Sequence, residues 1–138
     1  MKYVARVTRE GKHWLVDFPD APGCQTFAKS RAELEAMARD ALLGWLNVTI
    51  DHGRQLPRPK ARARSNDIEV AIPSDVATAM QLRWAREDAH LTQAQLAKLA
   101  GVSQQQIAKL ERPGENPTIG TLAKVAKALG RSLDVVFS

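Results

Sequence analysis

Three consecutive glutamines, Gln104, Gln105 and Gln106, stand behind Ser103 and ahead of Lys109. They are the residues here best suited to recognising a polar edge. A glutamine amide donates and accepts at once, so it matches the N7 and N6 groups of adenine together if a helix carries it into a groove. The side chains that could do covalent or metal chemistry are His13, Cys24, His52, Asp17 and Asp20. A nucleophilic site would need a base set against Cys24, and nothing in the sequence specifies that pairing. Cys24 therefore reads as a small buried hydrophobe. Asp17 and Asp20 flank a turn and read as solvated loop acids rather than a metal pair. A single cysteine permits no internal disulfide and leaves too few thiols for structural zinc. The expectation is no catalytic residue, no metal and no cofactor.

The glutamines need elements to hold them. Thr92-Gln93-Ala94-Gln95 and Ser103-Gln104-Gln105-Gln106 both have the form of a capping box, in which a hydroxyl and a side-chain amide satisfy the first free N–H groups of a helix. Two short helices thus start eleven residues apart with Gly101 between them. Ala97 is small where the two backbones must touch, Gly101 can take a positive φ in the turn, and Leu96, Ala100, Val102, Ile107 and Leu110 lock the pair. This is a helix-turn-helix over residues 91–112. A helix opened by Pro73-Ser74-Asp75 precedes it, and Thr118 caps another that Gly130 ends. The last apolar residues, Leu133, Val135, Val136 and Phe137, are expected to fold back on this core. Gln106 is expected to serve its cap, and Glu111 to face away or to pair with Arg112.

The first half follows a different period. Lys2–Arg9 alternates, with Tyr3, Ala5 and Val7 on one face, and His13–Phe18 alternates with Trp14, Val16 and Phe18. Pro19-Asp20-Ala21-Pro22-Gly23 forms a rigid loop before a short strand at Cys24–Phe27. Ser30-Arg31-Ala32-Glu33 is a further capping box. Behind it Leu34, Met37, Ala38, Ala41, Leu42, Trp45 and Leu46 form a continuous apolar helical face, which Gly53 stops. Ile68, Val70 and Ile72 alternate as a fourth strand. The fold class is α+β: a β-β-β-α-β domain over residues 1–72, then an all-α domain over residues 73–138.

Of 138 residues, 44% are apolar and 25% charged, as in ordinary soluble globular proteins, and no stretch approaches membrane-spanning length. A cytoplasmic protein is expected. Residues 1–53 carry 7 Lys+Arg against 7 acids, and residues 67–138 carry 8 against 8. The whole excess of +5 lies in Arg54, Arg58, Lys60, Arg62 and Arg64. Pro57 and Pro59 interrupt that stretch, so residues 54–66 read as a basic linker, either a solvated tether or a contact for phosphate.

The run Phe18-Pro19-Asp20-Ala21-Pro22-Gly23-Cys24, the capped helix after Ser30, and Gly53-Arg54-Gln55-Leu56-Pro57-Arg58-Pro59 together resemble the HicB antitoxins over about residues 1–72. That resemblance implies a reduced RNase H-like fold. It also implies that the domain binds and blocks a small HicA-type RNA-cleaving toxin without being a nuclease itself. Residues 75–137 are similar to the Xre and lambdoid phage repressor family, which implies an all-helical domain that binds operator DNA as a homodimer or higher homo-oligomer. By matched position, Gln93 resembles that family's phosphate-contacting glutamine, Gln104 and Gln105 its base-reading pair, and Asn116 a backbone-contacting loop residue. Lys109, four residues after Gln105, lies on the same helical face and can reach a further base or a phosphate. The expected DNA-contacting set is Gln93, Ser103, Gln104, Gln105, Lys109 and Asn116. The expected function is an antitoxin that also represses its own operon. The alternative is a stand-alone regulator whose first domain senses a small molecule.

Overall fold

A computed structural model describes residues 1–137. The chain forms two compact units, Met1–Pro73 and Ser74 onward.

In the first unit, strand β1 (Lys2–Glu10) turns at Gly11 into β2 (His13–Asp17), and β3 (Gln25–Ala28) follows. Helix α1 (Leu34–Asp51) comes next, and β4 (Ile68–Ala71) closes the unit. The sheet has the order β3-β2-β1-β4 and every pairing is antiparallel. The register sets Val7 opposite Val16 and Tyr3 opposite Val70, so the apolar alternation of the strands collects on one face. On that face Tyr3, Ala5, Val16, Phe18, Ala28 and Val70 are buried. Helix α1 contacts β2, β3 and β4, and buries Leu34, Ala38, Leu42, Leu46 and Ile50, one residue from each turn. Burying each such leucine contributes about 2 kcal/mol. The helical face is narrower than the sequence implied, since Met37 is 37% exposed. The Ser30 cap also begins differently from expectation. Its hydroxyl accepts from the Glu33 amide, but the Glu33 carboxylate accepts from the Lys29 amide, and the first turn, Arg31–Glu33, is a 3-10 helix. Trp14 lies under two guanidinium groups, Arg9 at 4.8 Å and Arg31 at 5.6 Å from its ring.

The connection from α1 to β4 is not a free linker. Residues 54–66 form neither helix nor strand, yet they are fastened to the first unit along their length. Leu56 is buried. The Tyr3 hydroxyl donates to the Pro57 carbonyl at 2.5 Å, and one Asp20 carboxylate oxygen accepts from the Lys60 and Ala61 amides, each at 2.8 Å. The Arg6 guanidinium donates to the Arg62 carbonyl and pairs with Asp67, whose carboxylate also accepts the Arg64 amide. The tether reading is thereby corrected: the segment is a strap inside the first unit. Asp20, expected to be a solvated loop acid, is the residue that holds its middle. The loop presenting Asp20 is itself closed by hydrogen bonds from Ala21 to Phe18 and from Cys24 to Ala21.

The second unit is helical: α2 (Ser74–Asp88), α3 (Gln93–Ala100), α4 (Gln104–Leu110) and α5 (Ile119–Ala128). Leu82, Leu96, Ala97, Ala100, Ile107, Leu110 and Val125 make its core, with Leu91, Val102 and Leu129 packed at the margin. Gly101 ends α3 at φ 69°, a left-handed conformation that costs a side-chain-bearing residue about 1–2 kcal/mol. The C-terminal segment folds back less than expected: Leu133 is half-buried, but the apolar residues after it are not. Val135, Val136 and Phe137 are 61%, 80% and 97% exposed. Past Gly130 the backbone has no regular element, so nothing turns these side chains inward. Among the described residues, no helix is long and apolar enough to cross a membrane, and no group of three or more His, Cys, Asp or Glu side chains is placed to hold a metal ion.

Candidate nucleic-acid interface

Helix α4 starts where Ser103, in extended backbone, accepts the Gln106 amide on its hydroxyl at 3.1 Å. Gln106 thus serves the cap through its backbone. Among the described residues only α3 shows the reciprocal box, in which Thr92 accepts from the Gln95 amide and the Gln95 side chain accepts from the Thr92 amide. Burial of Ile107 and Leu110 fixes the rotation of α4 about its axis. That rotation leaves Ser103, Gln104, Gln105 and Lys109 exposed.

A recess of about 460 Å³ is lined by Ser103, Gln105, Gln106, Lys109 and Leu110 together with Glu115, Asn116, Pro117, Thr118 and Thr121. The fold therefore brings Ser103, Gln105, Lys109 and Asn116 around one polar hollow. Gln104 is exposed but lies outside this lining, and so does Gln93.

Gln93 is held from beneath. Its side-chain amide donates to Glu111 at 3.3 Å, which leaves the second amide hydrogen for another acceptor. Glu111 is only 4% exposed, contrary to the expectation that it faces away or pairs with Arg112. Its carboxylate takes Arg86 of α2 in a two-pronged pair, Nε to Oε2 at 2.7 Å and Nη2 to Oε1 at 2.9 Å. The third Arg86 nitrogen donates to the Leu91 carbonyl just ahead of α3. The Arg86 guanidinium is raised above its ordinary pKa by hydrogen bonding to Glu111, against the opposing effect of burial. One buried ion pair thus fastens the ends of α2 and α4 and orients Gln93 between them. Sequence reading missed Arg86. The available signal was Glu111 itself, which stands four residues after buried Ile107, on the helical face that should be apolar.

The other reactive candidates are quiet. Cys24 is buried, and its thiol is pushed up to about 11, first by burial and then by the charge of Asp17. A thiol in that state is a poor nucleophile at neutral pH. His13 is exposed and stacks edgewise on Phe27, and His52 is exposed just past the end of α1.

A capped α3, a glycine turn and an α4 with polar residues at its open start make the second unit a helix-turn-helix DNA-binding domain, here appended to a small α+β unit. Known proteins narrow that class. Residues 82–136 match the family described as helix-turn-helix, and residues 2–81 match the family described as HicB_like antitoxin of bacterial toxin-antitoxin system. The chain belongs to this HicB-like antitoxin family. The protein named Antitoxin HicB 2 from Photorhabdus laumondii subsp. laumondii is 29% identical over 136 residues, which span 99% of this chain and 96% of that relative. Antitoxin HicB of Escherichia coli (strain K12) is 30% identical over 123 residues, 89% of this chain and 88% of its own. A chain of the solved structure titled "HicA3 and HicB3 toxin-antitoxin complex" overlaps 44% of this chain and 72% of its own length, at 24% identity and a TM-score of 0.42.

Proposed function

We propose that this chain binds and inhibits a HicA-type mRNA-cleaving toxin through residues 1–72, and represses its own operon by reading operator DNA with α4. The observation that carries the reading is the pairing, in one chain, of an antitoxin-family unit with a capped helix whose first three residues are exposed glutamines. Gln104 and Gln105 read bases, because each can donate and accept toward an adenine edge. Gln93, held by Glu111, gives its remaining amide hydrogen to a phosphate. Lys109 and Asn116 flank the hollow beside α4 and contact the backbone or a further base, while Ser103 keeps the helix start in shape. The protein acts as a homodimer, and a two-fold dimer of this kind sets its half-sites about one helical turn, ~34 Å, apart.

The toxin arm is tested by co-expressing the chain with the small reading frame beside it. Expression of that neighbour alone should arrest growth, and co-expression should restore it and yield a complex that purifies as one species. Growth arrest that persists in the presence of the folded chain would remove the antitoxin role. A first unit that binds a small metabolite instead would favour the sensing regulator.

A further inference from the structure

We propose that the strap of residues 54–64 is a second nucleic-acid contact, one that takes the phosphodiester backbone of duplex DNA without regard to sequence. The proposal rests on the DNA-binding reading above and adds a surface in the other unit.

Three observations carry it. The first is placement of charge. From Arg58 to Arg64 every second residue is a cation, and Arg58, Lys60, Arg62 and Arg64 are all exposed, whereas Pro57, Pro59 and Ala61 are half-buried and Ala63 is exposed. No acid falls anywhere in residues 54–66. The second is fixation. The main chain is held from below by Tyr3, Asp20, Arg6 and Asp67, and those bonds go to backbone atoms of Pro57, Lys60, Ala61, Arg62 and Arg64. Asp20 and Asp67 hold the strap through its amides, Asp67 also through Arg6, and the Arg64 charge acts on Asp67 as well. A ridge of cations with a fixed main chain loses less backbone entropy on meeting a polyanion than a loose basic tail would.

The third observation decides between polyanions. Residues 74–138 carry 8 Lys+Arg against 6 Asp+Glu, and Arg83, Arg86 and Arg131 are each paired with a carboxylate. Helix α4 has one cation, Lys109. Neutralising phosphates and releasing their counterions supplies nearly all non-specific DNA affinity. A base-reading unit this close to neutral supplies that contribution only through a few local cations such as Lys109, and the strap holds further charge that adds to it.

The test uses the full chain and its variant Arg58→Gln/Lys60→Gln/Arg62→Gln/Arg64→Gln, on the DNA upstream of its own reading frame and on a random duplex of equal length. The dissociation constant is followed against salt. Loss of the strap contacts should flatten the log–log salt slope by about 0.9 per contact, thus by roughly 2 to 4 in all. Random-duplex affinity should fall at least about tenfold at moderate salt, and the ratio of operator to random affinity should hold. Unchanged slope and affinity would overturn the proposal, as would a change seen only with single-stranded RNA of the same length. Should the fourfold variant fail to fold, Arg58→Gln/Lys60→Gln and Arg62→Gln/Arg64→Gln should each take about half of the slope. Failure of base reading looks different: the unaltered chain would then show no preference for operator, whatever the strap does.

Discussion

Single side chains in this protein act mainly by holding others still. Asp67 accepts from the Arg64 amide and the Arg6 guanidinium, and so closes the strap onto β4. Burial works to raise its pKa, but those hydrogen bonds and the two positive charges outweigh it and hold the carboxyl below the usual carboxylate range. A depressed native pKa gives stability that is fully present above the unfolded value of about 3.9 and is lost as pH falls through the native value. Asp67→Asn should therefore be less stable than the parent between pH 5 and 7, with the gap closing in acid; a gap independent of pH would show that the charge of Asp67 contributes nothing. In the second unit, Glu111→Gln leaves Arg86 with a neutral partner in a mostly buried setting, which should cost about 3 kcal/mol in urea unfolding. Arg86→Met/Glu111→Leu should cost much less than the two single changes added, because no charge is then stranded.

At the scale of elements, the turns between helices are where local sequence and fold agree or conflict. Gly101 agrees with its φ of 69°, while His90, just past the end of α2, adopts φ 57° with a full side chain. Replacing His90 with glycine should stabilise the second unit by about 1 kcal/mol, and Gly101→Ala should destabilise it by about 1–2 kcal/mol, both read from thermal unfolding. A loss on His90→Gly would mean that the imidazole makes a contact worth more than the backbone strain. These elements were legible in the sequence because their signals are local: Ser or Thr three residues ahead of Glu or Gln, apolar residues at spacings of three and four, period two in the strands. What was not legible depends on partners far along the chain. Asp20 meets Lys60 forty residues on, Arg6 meets Asp67 sixty-one residues on, and Arg86 meets Glu111 twenty-five residues on. No local pattern marks those pairs, so the strap read as a tether and Glu111 as a surface acid. The C-terminal Val135, Val136 and Phe137 failed for the opposite reason: their composition matched a core segment, but no helix or strand carries them to one.

The whole molecule is two units that adjoin in sequence at Pro73 and Ser74, with the strap and β4 belonging wholly to the first. A fragment of residues 1–73 should accordingly fold alone and still block the toxin, whereas residues 1–66 should not, since they lack both β4 and Asp67; folding of the shorter piece, judged by its chemical-shift dispersion, would deny the strap its structural role. The assignment of α4 to base reading is the claim on which the repressor half depends. Its most direct test is the ratio of operator to random-duplex affinity for the full chain, for Gln104→Ala and for Gln105→Ala, measured at one salt concentration with toxin binding followed in parallel. Each substitution should lower operator affinity by about 1–3 kcal/mol, leave random-duplex affinity nearly intact and leave toxin binding unchanged. Equal losses on both duplexes would contradict base reading by α4, and a loss of toxin binding from the same variants would contradict the division of labour between the two units.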